Sequence, residues 1–415
     1  LWRDHPETSR RLARLIVQRL QRSWSGRPAE QPVTTIGVVP LSRGVDVGAF
    51  CTALAQHLGA PRDVLHLDPA RLDAALFPRA ATVRIDDPAN HRVVAWLNAQ
   101  EARYKFVPYE GDLDAMAWTR RCLRQADRIL LVAPAGEAPS TGEVERELDA
   151  LRTPDGGPRC ELVLLHDGDR GLNTTSALVP TRRWLGSRDL AGHHHVRKGH
   201  VGDHARMARL LSGRALGLVL GGGGARGFAH IGVLRALREA GLEPDVIGGT
   251  SMGGLIAALH ALGHTEDEIL ELNREAWVRL KPLSDYTIPM VSMIRGVKVE
   301  RALKRMFGRA RIEDLWLRYF AVSSNLTRAT VHVHTEGELW QAVRASVSIP
   351  GIGPPAFLNG DLHVDGAILN NLPGDLMRGF CKGRVVVVDV SATDQLALPS
   401  GVSEFPSGWE LLLRK

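Results

Sequence analysis

Apolar and polar positions fall into two separate series along this chain, each alternating short apolar runs with longer amphipathic stretches. In the first, Thr34–Val39, Tyr104–Tyr109, Arg128–Ala133 and Glu161–His166 are runs of strand length. Gly48–Leu58, Asp112–Gln125 and Gly142–Leu151 carry helical spacing between them. Strand and helix in alternation predict a mostly parallel α/β sheet. The second series predicts a strand over Ala215–Leu220, a helix over Phe228–Ala240, a strand over Asp245–Gly248 and a helix over Met252–Leu262. That last helix is apolar on nearly every side and has to be buried. Arg384–Val390 is rich in valine and fits a central strand.

Ahead of both series, residues 8–22 place Leu12, Leu15, Ile16 and Leu20 on one side, ringed by Arg10, Arg11, Arg14, Arg19 and Arg22. The pattern suits a helix packed on a neighbouring domain, with solvated arginines, better than one lying on a membrane. Ser25–Pro32 is a breaker-rich linker. A chain of 415 residues is long enough for two domains. The predicted division is a helix and linker over 1–30, an α/β scaffold domain over 31–205 and a second α/β domain over 206–415.

Composition changes this picture little. An apolar fraction of 44% and a charged fraction of 24% belong to an ordinary globular protein. The excess of cations, 52 − 46 = 6, favours anionic surfaces such as phospholipid headgroups, though arginine-rich solvated faces account for it equally well. Nothing in the pattern points to nucleic acid. Cys51, Cys122, Cys160 and Cys381 are scattered without a C-x-x-C pair. Reduced thiols in a cytoplasmic setting are therefore expected, rather than disulfides or a zinc site. No stretch approaches the roughly 20 apolar residues of a spanning helix, and no signal-peptide pattern opens the chain. It begins at Leu1 and reads as a piece of a longer protein.

Several features invite a ligand. The turn Pro40–Gly48 follows the first strand, where a phosphate loop would lie, but it lacks the G-K-[ST] ending, so no nucleotide is expected there. His193, His194 and His195 are consecutive, and successive strand residues point to opposite faces. With His200 and His204 they read as a surface strand edge between domains rather than a metal site.

Three short pieces in the second half carry the chemistry. Gly221-Gly222-Gly223-Gly224-Ala225-Arg226-Gly227 lies between a strand and a helix. Taken alone, Gly222-x-Gly224-x-x-Gly227 matches a dinucleotide-binding fingerprint, with Glu243 or Asp245 as the ribose acid. In that fold the acid stands at the end of the second strand. Here Asp245 precedes the strand and Gly249-Thr250-Ser251 ends it. Bare amides in a glycine run suit an oxyanion better. Gly249-Thr250-Ser251-Met252-Gly253 is a G-x-S-x-G turn between strand and helix, which projects the hydroxyl of Ser251 at a helix N-terminus. An ordinary capping serine is the competing reading. Serine needs a base, and no histidine follows His363 to complete the usual Ser–Asp–His order. His260, His264, His332, His334 and His363 have no base context. Asp365, in Asp365-Gly366-Ala367, remains as direct base of a Ser251–Asp365 dyad.

Together these pieces resemble the three signatures of patatin-like phospholipases, over about Leu216 to Ala392. Ser346-Val347-Ser348-Ile349-Pro350 and Asn370-Asn371-Leu372-Pro373 are similar to that family's supporting loops. Thr119–Asp127 and His193–Arg197 resemble the bacterial relatives of neuropathy target esterase, in which a P-loop-like domain precedes the catalytic one. Leu1–Leu20 looks like the tail of a cyclic-nucleotide-binding domain, so any cyclic nucleotide would act through upstream modules. The resemblance implies a three-layer α/β/α fold, a metal-free and cofactor-free lysophospholipase or phospholipase, and a location peripheral to the inner membrane face. The expected site is Ser251 and Asp365 with an oxyanion and substrate-binding group of Gly222, Gly223, Gly224, Arg226, Gly227 and Met252. The Gly223 and Gly224 amides hold the oxyanion, aided by that of Met252. Arg226 either steers a phosphate headgroup or fixes the loop. Two departures stand out: residues 40–48 are degenerate as a phosphate loop, and the family's catalytic domain usually runs on past Lys415. Residues 277–294 are unusually apolar and read either as a lid or membrane-facing rim, or as buried core.

Overall fold

The structure is a computed structural model that describes residues 35–151, 159–168, 181–186 and 188–391. The predicted helix over 8–22 and the linker after it lie outside these. Two compact units divide at Leu216 and Gly217, with residues 381–384 assigned to the first.

The first unit holds five strands: β1 (Thr35–Pro40), β2 (Val107–Glu110), β3 (Arg128–Pro134), β4 (Arg159–His166) and β5 (Gly192–Arg197). Their order is β2-β1-β3-β4-β5 and every pairing is parallel. Both faces of the sheet are covered, so β1 is buried along its whole length. Alternate residues serve opposite cores: Ile36, Val38, Leu130 and Val132 pack with Phe50 and Leu54, while Val39, Ile129 and Leu131 pack with Leu123 and Trp184.

The turn after β1 leads into the helix Val47–Leu58, capped by Asp46, whose carboxylate accepts the Ala49 amide at 2.9 Å. An anion of the chain's own thus sits where a phosphate loop would present amides to a ligand. The sequence pattern does not predict the helices over Pro69–Ala75 and Asn90–Arg103. The second buries only Val93 and Leu97 fully, so its apolar stripe is too sparse to register. β5 is an edge strand, as expected, but not a surface one: His194 and His195 are buried, and His194 Nε2 lies 2.6 Å from Glu161. The four cysteines are buried, and none of them forms a disulfide.

The second unit is built on β6 (Leu216–Leu220), β7 (Val246–Thr250), β8 (Arg318–Asn325), β9 (Thr330–His334), β10 (Ala356–Leu358), β11 (Asp361–Asp365) and β12 (Arg384–Val388). β6, β7 and β8 run parallel, and β9 and β11 join β8 antiparallel. β12 stands at one end of the sheet and is only half-buried. The expectation of a central strand is corrected: its valines reflect β-propensity rather than a place covered on both sides. The helix Met252–Ala261 is buried as predicted, in a core with Leu218, Ile247, Leu303, Tyr319 and Val343.

One feature of the register positions the site. On β8, Val322 pairs with Thr250 of β7 and its neighbour Ser323 pairs with Asp365 of β11. β9 occupies the opposite edge, so β11 takes up the edge of β8 that β7 leaves. The ends of β7 and β11 meet there.

Candidate active site

Ser251 lies between β7 and the buried helix with φ 55° and ψ −127°, a conformation non-glycine residues adopt only under constraint. The turn is held by contact on both sides. A Cβ on Gly249 or on Gly253 would come within 2.2 Å of the Leu220 carbonyl oxygen. Glycine there lets β6 approach the turn, which aims the Ser251 side chain away from the helix it starts.

Its hydroxyl donates to Asp365 Oδ2 at 2.6 Å. Asp365 Oδ1 accepts the Ala367 amide at 2.9 Å, and the Asp365 amide donates to the Ser348 carbonyl at 2.8 Å. Gly366 is required as well, since a Cβ there would stand 2.4 Å from the Val322 carbonyl oxygen. Both side chains are buried. Burial pushes the Asp365 carboxyl above its ordinary value, against the pull of the Ser251 and Ala367 hydrogen bonds. The carboxylate becomes a stronger base than one in water.

The histidines are placed elsewhere. His334 Nε2 and His363 Nδ1 flank the Ser323 hydroxyl at 2.8 and 2.9 Å, and His230 Nε2 lies 2.8 Å from the Gly221 carbonyl. His260 is held on the buried helix, where burial lowers its pKa.

The glycine loop lies against this pair. A Cβ on Gly222 would be 3.2 Å from Ser251 Cβ, and one on Gly227 would be 2.4 Å from Met252 Cγ. The Gly221 amide donates to the Val388 carbonyl and that of Gly222 to the Asn371 carbonyl. Among the described residues the Gly223 amide makes no backbone hydrogen bond. Gly224 has φ 56° and is exposed. Met252 is the first residue of its helix, whose opening amides have no intrahelical acceptor. Arg226 is exposed, with no side-chain hydrogen bond or ion pair among the described residues.

Sequence reasoning placed Ser346 only in a supporting loop. In the structure it is a brace: it accepts the Ser251 amide at 2.8 Å and donates to the Val322 carbonyl at 2.6 Å. This ties the strained turn to β8, and it removes the Ser251 amide from the potential oxyanion donors. No motif signals such a role.

A cavity of about 340 Å³ opens beside Ser251. Trp277, Val278, Leu283, Ile294, Val299 and Ile352 give it apolar walls, and Met252 and Gly224 share its lining. The buried-core reading of residues 277–294 is overturned for most of them. Tyr286, Ile288, Met290 and Val291 are 71%, 79%, 89% and 69% exposed, while Ile294 is buried.

A serine on a strained strand–turn–helix, hydrogen-bonded to a buried carboxylate and flanked by a glycine loop, has the geometry of a candidate hydrolase site. Residues 218–377 match the patatin-like phospholipase family, and residues 32–209 match the Neuropathy Target Esterase family P-loop like domain. In the chain the P-loop like domain precedes the patatin-like one. It is 35% identical to patatin-like phospholipase domain-containing protein ZK370.4 of Caenorhabditis elegans, over 92% of this chain and 31% of that protein. It is also 35% identical to neuropathy target esterase sws of Drosophila melanogaster, over 95% of this chain and 30% of that protein. Identity to lysophospholipase NTE1 of Cryptococcus neoformans is 34%, over 99% and 28%. The chain thus spans about a third of the length of the relatives it matches.

Proposed function

We propose that this chain hydrolyses acyl esters of lysophospholipids and phospholipids through a Ser251–Asp365 dyad, with no imidazole in the proton path. The observation that carries the reading is the 2.6 Å hydrogen bond from Ser251 Oγ to Asp365 Oδ2. Asp365 takes the hydroxyl proton as Ser251 Oγ bonds to the ester carbonyl carbon. The carbonyl oxygen becomes an oxyanion, received by the amides of Gly223 and Gly224 with that of Met252. The intermediate collapses, the bond to the alcohol breaks, and Asp365 returns the proton to the departing oxygen. Water then attacks the acyl-serine, giving its proton to Asp365. The second collapse frees the fatty acid, and the proton passes back to Ser251.

The apolar cavity suits an acyl chain, and the exposed apolar residues of 286–291 lie on the segment of chain between its lining residues Leu283 and Ile294. Arg279, Lys281, Arg295 and Lys298 lie along the same stretch of chain. That combination supports peripheral docking on an anionic membrane face. Among the described residues no helix is long and apolar enough to cross a membrane. Buried thiols outside any disulfide suit the reducing inner side.

The test compares wild type, Ser251→Ala and Asp365→Asn on lysophosphatidylcholine. Fatty-acid release is expected from the wild type alone. Undiminished release by Ser251→Ala would refute the assignment.

A further inference from the structure

Among the described residues that line the cavity beside Ser251, one carries a charge, and it is buried. Arg344 projects from the helix Leu339–Ser346, lines the cavity, and is 9% exposed. Among the described residues it has no carboxylate within ion-pair distance. One terminal nitrogen donates to the Ser348 hydroxyl, and the other to the Pro354 carbonyl at 3.1 Å. Both acceptors are neutral, and two bonds leave most of the five guanidinium N–H donors unused.

Asp285 and Glu300 act on Arg344 only through space, from beyond ion-pair range. Glu300 is held by Lys304 at 2.6 Å, and Asp285 accepts the Lys298 amide. Burial pulls the guanidinium pKa down, yet arginine stays charged in proteins. A permanent cation in an apolar cavity is destabilising unless something neutralises it. The residue above it leaves room: a Cβ on Gly296, also in the cavity wall, would stand 2.9 Å from the guanidinium.

We propose that Arg344 is the substrate-binding cation that recognises the phosphate of the lysophospholipid, and so makes this site prefer phosphate-bearing esters over neutral ones. The inference rests on the hydrolase reading above. A guanidinium fork matches phosphate oxygens in pairs, whereas a neutral ester offers it nothing comparable. In a lysophospholipid the phosphate stands a few bonds from the scissile carbonyl, so one cavity holds both. The apolar walls take the acyl chain, Ser251 meets the carbonyl, and Arg344 fixes the headgroup end.

The experiment measures kcat/KM for a 1-acyl lysophosphatidylcholine and a 1-monoacylglycerol of the same chain, in wild type, Arg344→Met and Arg344→Lys. Each variant serves as its own control, so partial loss of folded protein cancels in the ratio of the two substrates. Arg344→Met is expected to lose about 10–100-fold on the lysophospholipid, while the monoacylglycerol stays within about threefold. Arg344→Lys should retain part of the preference. An equal fall on both substrates would show that Arg344 only braces the Ser348–Pro354 loop, and an unchanged ratio would equally overturn the proposal.

Inhibition by oleate separates the other oxyanion. If Arg344→Met relieves it while the substrate ratio holds, the cation serves the product carboxylate and the proposal fails. Calorimetric binding of both lipids to Ser251→Ala, with and without Arg344→Met, reads phosphate recognition without turnover. It decides the proposal even if the hydrolase reading fails. Tighter binding of the lysophospholipid that disappears with Arg344→Met supports the proposal, and no such difference overturns it.

Discussion

The two units repeat one device, a parallel strand running through a turn into a helix, and finish it in opposite ways. In the first, Asp46 caps the helix Val47–Leu58 with its own carboxylate and the turn is relaxed. In the second, Ser251 holds a positive φ, gives no side-chain cap, and turns its hydroxyl to Asp365 instead. One helix end is sealed and the other is left open with its dipole unanswered. Structure is stabilised where the end is closed, and chemistry becomes possible where strain and an uncapped end are tolerated.

Breaking the open end should have the largest effect. Asp365→Asn is expected to lower kcat by about 10²–10⁴-fold, the range for a positioned general base. The same change should raise the melting temperature at neutral pH. The folded pKa of Asp365 lies above its ordinary value of 3.8, so the ionised carboxylate destabilises the fold. Protonated Asp365 is as neutral as asparagine, so the gain should vanish as the pH falls below the ordinary carboxylate range. Thermal melts across that range test the sign. A stability loss at neutral pH would contradict it.

Loosening the brace comes next. Ser346→Ala leaves the buried Ser251 amide and Val322 carbonyl without their partner, at a cost of about 1–3 kcal/mol in denaturant unfolding. Because Ser346 holds the turn rather than touching substrate, kcat should fall further than affinity for a substrate analogue.

The smallest effect sharpens the contrast. Asp46→Ala removes only a cap and should cost about 1 kcal/mol, with esterase activity unchanged. Activity lost in proportion to stability would show that the sealed turn also serves the reaction.

Much of this was legible in the sequence, for reasons the structure makes plain. Ser251 and the glycines around it were readable because close backbone approach forbids other residues: Gly249, Gly253 and Gly366 each sit where a Cβ would overlap a carbonyl oxygen. Elements with dense apolar spacing, such as Met252–Ala261, were readable from period alone. What escaped depends on pairing between distant segments. The amide of Gly222 faces the Asn371 carbonyl, and Ser346 links Ser251 to β8, through contacts 149 and 95 residues apart that no local pattern encodes. The exposure of Met290 and the burial of Arg344 run against their residue types, so hydropathy could not have given them.

The central claim is that Asp365 alone activates Ser251. The direct measurement is the rate of fluorophosphonate labelling, with the modified peptide identified by mass spectrometry, in wild type and Asp365→Asn. The account predicts label on Ser251 and a rate lowered at least about 10²-fold by the substitution. Label on another residue, or an unchanged rate in Asp365→Asn, would contradict it.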